Sequence, residues 1–322
     1  MTDLTEQIIA ILRRDGRASY SKIARELNSN RELVASRINP LVESGKLRII
    51  TGVHPRILGL TVWANLRVKV GGNVRRVVDA INTFEAPDFI SVVVGSFQVV
   101  IEMQLRDMTE LRREVAAIRA IEGVREVDVL LYESVLESFF VGAEPRILAA
   151  ELDAADIAII TRLANDGRAN LADIAKAVGL SLSGCRTRIQ RLLAANVMRI
   201  GAIKERVDMT NDLVFGVGAN IRGDDTQAVE LLRAQSGLEF LGRTVGRFDL
   251  LATMGFDSLH DFYGFISRLR SLPSVTDCEQ WLHVSLVREQ YQRTLKWLKE
   301  LGIGKTRLAT AQTVAFKGGA RG

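Results

Sequence analysis

One run of this 322-residue chain gathers side chains suited to holding phosphate and reading base edges. Between 181 and 206 stand Arg186, Arg188, Arg191, Arg199, Lys204 and Arg206 against the single acid Glu205, with Ser181, Ser183 and Thr187 among them. Arginine forks match guanine edges and phosphates, and small hydroxyl residues at a helix start let backbone amides come close to a phosphate. A second, thinner run between 30 and 56 holds Arg31, Ser36, Arg37, Lys46, Arg48 and Arg56, five basic residues to two acidic. Both runs point to DNA contact, more strongly in the second half, with a solvated helix face as the plainer reading. Covalent chemistry has no comparable foothold. His54, His260 and His283 are scattered, Cys185 and Cys278 lie far apart and read as apolar fillers, and there is no Gly-rich phosphate loop, nucleophile elbow or run of metal ligands. No metal and no cofactor is expected.

Bulk charge says less than the local runs. The net charge is +5, but Lys305, Arg307, Lys317 and Arg321 in the last 18 residues supply four of those charges, so the remainder is nearly neutral. With 47% hydrophobic and 25% charged residues the composition is that of ordinary globular domains. No leader-like segment and no bilayer-length apolar stretch is present, so the chain reads as soluble and cytoplasmic, without a membrane partner.

The elements that must position these residues come from an internal repeat. Asp15-Gly16-Arg17-Ala18 recurs as Asp166-Gly167-Arg168-Ala169, and the same offset of 151 places Ile23 on Ile174, Ile38 on Ile189, Arg48 on Arg199, Gly95 on Gly246 and Phe97 on Phe248. A period this long signals duplication of a complete two-domain unit. In each copy apolar positions with helical spacing predict three helices with a tight turn before the third, a helix-turn-helix, and an alternating segment after it reads as a wing strand. Pro40 is expected to kink or shorten the third helix of the first copy. The remainder of each copy reads βαββαβ, a ferredoxin-like domain whose apolar sheet face needs a partner. The fold class is therefore α+β: winged helix-turn-helix domains at 1–58 and 152–209, ferredoxin-like domains at 59–141 and 210–287, and a C-terminal helix over Arg288 to Leu301 with a basic tail, 288–322. The joint between copies is placed at 142–151.

A helix-turn-helix with Asp-Gly-Arg, followed by a βαββαβ domain whose middle strands meet at Gly-x-Phe-Asp, resembles the Lrp/AsnC (feast/famine) regulators. Ser181-Leu182-Ser183-Gly184-Cys185, then Arg188-Ile189 and Arg191-Leu192, is similar to that family's recognition-helix pattern, with Leu182 where proline is usual. In the first copy Asn30-Arg31-Glu32-Leu33-Val34 diverges and Gln98 replaces the acid of the turn. The resemblance implies a regulator of double-stranded DNA with RAM-type ligand-sensing domains that pair through their sheets and take a small effector, often an amino acid. Family members pair identical chains; this chain would pair its own halves and could assemble further. Carried over by position, the effector candidates are Gly246, Arg247, Phe248 and Asp249, with Gly95, Ser96, Phe97 and Gln98 in the first copy; Asp249 would suit a ligand's ammonium and Arg247 its carboxylate. Both segments also read simply as tight hairpin turns. Two other readings stay open: an enzyme like the sirohaem decarboxylases, which resemble the same unit, and an effector sensor that no longer binds DNA.

Overall fold

The computed structural model describes residues 4–138, 144–147, 151–204 and 213–289. In the first copy, helices α1 (Leu4–Arg14), α2 (Tyr20–Glu26) and α3 (Arg31–Glu43) are followed by strand β1 (Leu47–Val53). The ferredoxin-like part runs β2 (Val62–Val70), α4 (Val74–Ile81), β3 (Pro87–Val94), β4 (Val99–Leu105), α5 (Met108–Arg119) and β5 (Val124–Ser138). The second copy repeats this order with α6 (Ala154–Asn165), α7 (Leu171–Ala177), α8 (Leu182–Ala194) and β6 (Met198–Lys204). Then come β7 (Leu213–Ile221), α9 (Thr226–Arg233), β8 (Leu238–Val245), β9 (Leu250–Phe256), α10 (Leu259–Arg270) and β10 (Val275–Glu289).

Local chemistry sets the helix boundaries. Asn28 (φ +49°) and Gly179 (φ +69°) close the second helix of each copy in the left-handed conformation that asparagine and glycine tolerate best. Asn30 and Ser181 then cap α3 and α8 by accepting from the amides of Leu33 (2.7 Å) and Gly184 (3.1 Å). Pro40 does not shorten α3, which is 13 residues long, as is α8. Proline this near the C-terminus removes one intrahelical donor, and the Pro40 carbonyl still accepts from the Ser44 amide at 3.0 Å.

Two features differ from the pattern read in the sequence. Among the described residues the strand after each third helix forms no hairpin wing of its own; β1 and β6 pair with each other, antiparallel, from Leu47 opposite Lys204 to Val53 opposite Met198. The closing strands β5 and β10 are also long, 15 residues each, and β10 runs past the expected domain end at 287. Arg288 and Glu289 thus belong to a strand, and the rest of the expected C-terminal helix, like the basic tail, lies outside the described residues. The length of these strands lets β5 pair with β8 and β10 pair with β3, closing two four-stranded sheets into one eight-stranded barrel.

Period-two alternation divides each sheet between two faces. In the first copy Ala64, Leu66 and Val68 face α4 and α5, packing on Val77, Ile81, Leu111 and Ile118, and the second copy has the same helix-on-sheet core around Phe265 and Leu269. The opposite faces meet each other, with Phe97, Leu130, Tyr132, Phe240, Phe248 and Trp281 in the layer between them. Cys185 and Cys278 are buried and free, packed in the second helix-turn-helix core and the second sheet core.

Candidate functional site

Burial of Val34 and Ile38 in α3, and of Cys185, Ile189 and Leu192 in α8, fixes which side of each helix faces solvent. On α3 the exposed side carries Arg31, Glu32, Leu33, Ser36 and Arg37, and Lys46 and Arg48 are exposed beyond it. On α8 it carries Leu182, Ser183, Arg186 and Thr187, with Ser181 at the cap.

Three arginines expected at the DNA face of the second copy make contacts within the fold. Arg188 donates to Asp153 at 2.7 Å and to Asp156 at 2.9 Å, and Arg191 pairs with the same Asp156. Asp153 and Asp156 form the capping box of α6, and the Asp156 side chain is only 1% exposed, so the two arginines neutralise a buried carboxylate and bolt α8 to α6. Asp153 is held below the usual carboxylate range by the amide of Asp156 and then by Arg188. Arg199 is the most buried of the three. It is half-buried on β6, donates to the Ser138 carbonyl at the end of β5, and stands 4.0 Å from Glu137. Burial lowers its pKa. Copy one has Thr2 and Thr5 where copy two has Asp153 and Asp156, and there Arg37 is exposed.

The two Gly-x-Phe turns come together between the sheets. Ser96 of the first turn and Arg247 of the second both reach Glu279, Arg247 at 2.8 Å. Phe97 and Phe248 are buried, packing around the guanidinium of Arg67 at 4.9 and 4.5 Å from their ring centres. Arg67 is itself buried, pairs with Asp128, and has Nη1 4.0 Å from Glu279; burial lowers its pKa, with Asp128 opposing. Gln98 and Asp249 do one job in the two copies, accepting from the amides of Val70 (2.9 Å) and Ile221 (2.7 Å). Gly95 lies where a Cβ would meet the Trp281 side chain at 3.0 Å, and Gly246, at φ +141°, where one would meet the Val129 carbonyl at 3.0 Å. Each turn thus abuts the closing strand of the other copy. Nearby, the Tyr132 hydroxyl donates to Glu102 at 2.6 Å and Asn65 donates to it at 3.2 Å, while burial pushes the Glu102 carboxyl up.

A model of the AsnC-type helix-turn-helix domain matches residues 1–41 and again 152–193, the spans of α1–α3 and α6–α8. Curated relatives match about one copy. An uncharacterized HTH-type transcriptional regulator of Pyrococcus horikoshii, PH0140, is 28% identical over 138 residues, covering 42% of this chain and 87% of its own length. The HTH-type transcriptional regulator FL11 of Pyrococcus furiosus is 25% identical over 135 residues, covering 41% and 88%. The chain carries two AsnC-type helix-turn-helix domains in tandem. Its two-copy fold is also that of a solved structure, the sirohaem decarboxylase NirDL, with a TM-score of 0.57 at 14% identity over 93% of this chain and 99% of that one.

In this pair of AsnC-type domains the duplicated Asp-Gly-Arg-Ala segment does more than turn the chain. Arg17 donates to the carbonyls of Gly167 (2.8 Å) and Ala169 (3.0 Å), while Arg168 donates to those of Gly16 (2.8 Å) and Ala18 (3.1 Å). The Gly16 and Gly167 amides bond to Ile200 and Ile49 on β6 and β1, and a Cβ on Gly16 would sit 2.9 Å from the Gly201 nitrogen. This reciprocal clasp joins the two helix-turn-helix domains. Its only sequence signal was the recurrence of the motif itself.

Proposed function

We propose that the chain is a sequence-specific DNA-binding transcription regulator working in the cytoplasm, not an enzyme, with its own two halves paired as a built-in dimer. The observation that carries this reading is the pair of AsnC-type helix-turn-helix domains, each with an exposed third-helix face bearing arginine and hydroxyl side chains, clasped together by Arg17 and Arg168. No helix among the described residues is long and apolar enough to cross a membrane. Genomic footprinting followed by titration on the recovered duplex at several salt concentrations tests it. Affinity is expected to fall steeply as salt rises, because each phosphate contact releases counterions; absence of any enriched site sinks the reading.

The effector part of the proposal centres on Glu279, where Ser96, Arg247 and Arg67 converge. A ligand carboxylate there competes with Glu279 for Arg247, whereas Asp249 and Gln98 already serve backbone amides. Thermal-shift screening against the amino acids, repeated on Arg247→Ala, is expected to show a ligand whose stabilisation the variant loses. The domain pairing leaves room for further self-association through the exposed Val94 and Val245 beside the turns.

The likeness to NirDL raises decarboxylation as a second reading, since that enzyme is also known in complex with an iron-uroporphyrin III analogue. Two features favour the regulator. The cavity beside the buried His54 is only about 10 Å³, room for at most one water. The roomier cleft of about 980 Å³ between α1 and the second sheet is lined by Glu6, Glu239, Asp257 and Asp261 against Arg13 and Arg268. A polycarboxylate macrocycle meets repulsion in such a lining. Incubation with sirohaem and assay for released CO2 separates the two readings.

A further inference from the structure

We infer that the DNA site read by this chain is asymmetric, two half-sites of different sequence set in inverted orientation; the inference rests on the regulator reading above. The inversion follows from the pairing of the helix-turn-helix domains. In the β1–β6 register Ile50 stands opposite Gly201, its own equivalent under the 151-residue offset, so a local twofold passes through that pair. The clasp obeys the same twofold, Arg17 on Gly167 and Ala169 mirrored by Arg168 on Gly16 and Ala18. Helices related in this way face two half-sites across a DNA dyad.

In a symmetric dimer that geometry reads a palindrome. Here the twofold relates surfaces that differ at every exposed recognition position. Arg31 corresponds to Leu182, Glu32 to Ser183, Leu33 to Gly184, Ala35 to Arg186 and Ser36 to Thr187. Even the shared arginine differs, because Arg188 is drawn onto Asp153 and Asp156 while Arg37 stays exposed. The chemistry of the two faces diverges accordingly. On α3, Arg31 and Arg37 suit guanine edges, and Glu32 accepts from a cytosine amino group and repels phosphate, so this helix selects G·C pairs. On α8, Leu182, 46% exposed at the first turn, suits a thymine methyl, Arg186 suits one guanine, and Ser183 and Thr187 accept less specific contacts.

The test uses the full chain. Duplexes are selected from a random pool, and affinities are then measured at one salt concentration for the recovered site and for two palindromes built from its left or right half alone. The recovered site is expected to be non-palindromic, and each palindrome to bind about 5- to 100-fold more weakly, the effect of one or two mismatched pairs. Glu32→Ser, an exposed change on α3, is expected to relax selection in one half-site only, and Arg186→Ala in the other only. A palindromic consensus, or a palindrome bound as tightly as the recovered site, overturns the inference and leaves the regulator reading standing. No enriched duplex at all overturns both.

Discussion

Charge pairing decides which arginines are available to DNA, and a count of basic residues does not reveal it. Arg188 and Arg37 are equivalent by register, yet one neutralises the buried Asp156 and the other is exposed. Arg188→Ala leaves Asp156 with Arg191 as its cationic partner, so a loss of about 1–3 kcal/mol in denaturant unfolding is expected, the range for a buried polar group losing a charged partner. Arg37→Ala is expected to leave stability within about 0.5 kcal/mol and to weaken DNA binding instead; equal destabilisation by both would contradict the ion-pair account. His54 supplies a pH dependence. Burial, with Arg56 adding to it, pulls its imidazole down from 6.5 to about 4. Glu144, 3.9 Å away, cannot reverse this because it already pairs with Arg56 at 2.9 Å, and Nδ1 accepts from the Arg56 amide at 3.3 Å, which keeps that nitrogen unprotonated. The unfolded chain takes up a proton near pH 6.5 that the folded chain refuses until about pH 4. This contribution is therefore fully present above the unfolded pKa and is lost as pH falls, by about 2 kcal/mol at pH 5. Unfolding measured between pH 7.5 and 5 is expected to show that slope, and His54→Gln to flatten it.

Among the elements, those defined by local spacing were legible in the sequence and those defined by a distant partner were not. The three helices of each helix-turn-helix, the closure at Asn28 and Gly179, and the βαββαβ order all follow from apolar periodicity and turn chemistry within a few residues. The pairing of β1 with β6 does not, because alternation says that a segment is a strand and leaves its neighbour open. The same holds for the ion pair of Arg188 with Asp153, 35 residues apart, and for the ends of β5 and β10, whose partners β8 and β3 belong to the other copy. The Gly-x-Phe turns read either as effector-facing or as plain hairpin turns, and turn chemistry alone could not show that their phenylalanines lie buried between the two sheets. The clasp tests the element-scale account. Arg17→Ala and Arg168→Ala each remove two hydrogen bonds to backbone carbonyls, and together they are expected to loosen the helix-turn-helix pair by about 2–4 kcal/mol. Hydrogen exchange at β1 and β6 is the readout, with the barrel strands unchanged; protection that stays intact at β1 and β6 would remove the clasp from the interface.

At the scale of the whole molecule, duplication has turned a pairing that identical chains could make into one that only the two unlike halves make well. Gly218 occupies the position equivalent to Arg67, and Gly216 that of Asn65. A Cβ at these glycines would lie 2.2 Å from the Phe248 ring and 2.0 Å from the Trp281 ring, so the second copy lays its aromatic rings over bare backbone. The first copy supplies the cation that sits on Phe248 and the carboxylate, Asp128, that balances it. Two first copies facing each other would set two buried arginines against one another, each with Asp128 but with no Phe248 or Trp281 to lie on, and two second copies would leave the space of Arg67 unfilled over Gly218. Like charges crowded in a buried layer repel, and an unfilled space costs packing, so the mixed pair is favoured when the backbone pairing is the same in every combination. Fragments 1–147 and 152–322 expressed separately and mixed are therefore expected to form a 1:1 complex that outcompetes either homodimer in native mass spectrometry. Substituting Arg67→Met, which fills the space without the charge, should narrow that preference, since it removes the ion that distinguishes the halves; a first-copy homodimer as abundant as the mixed complex would show instead that strand pairing alone holds the molecule together.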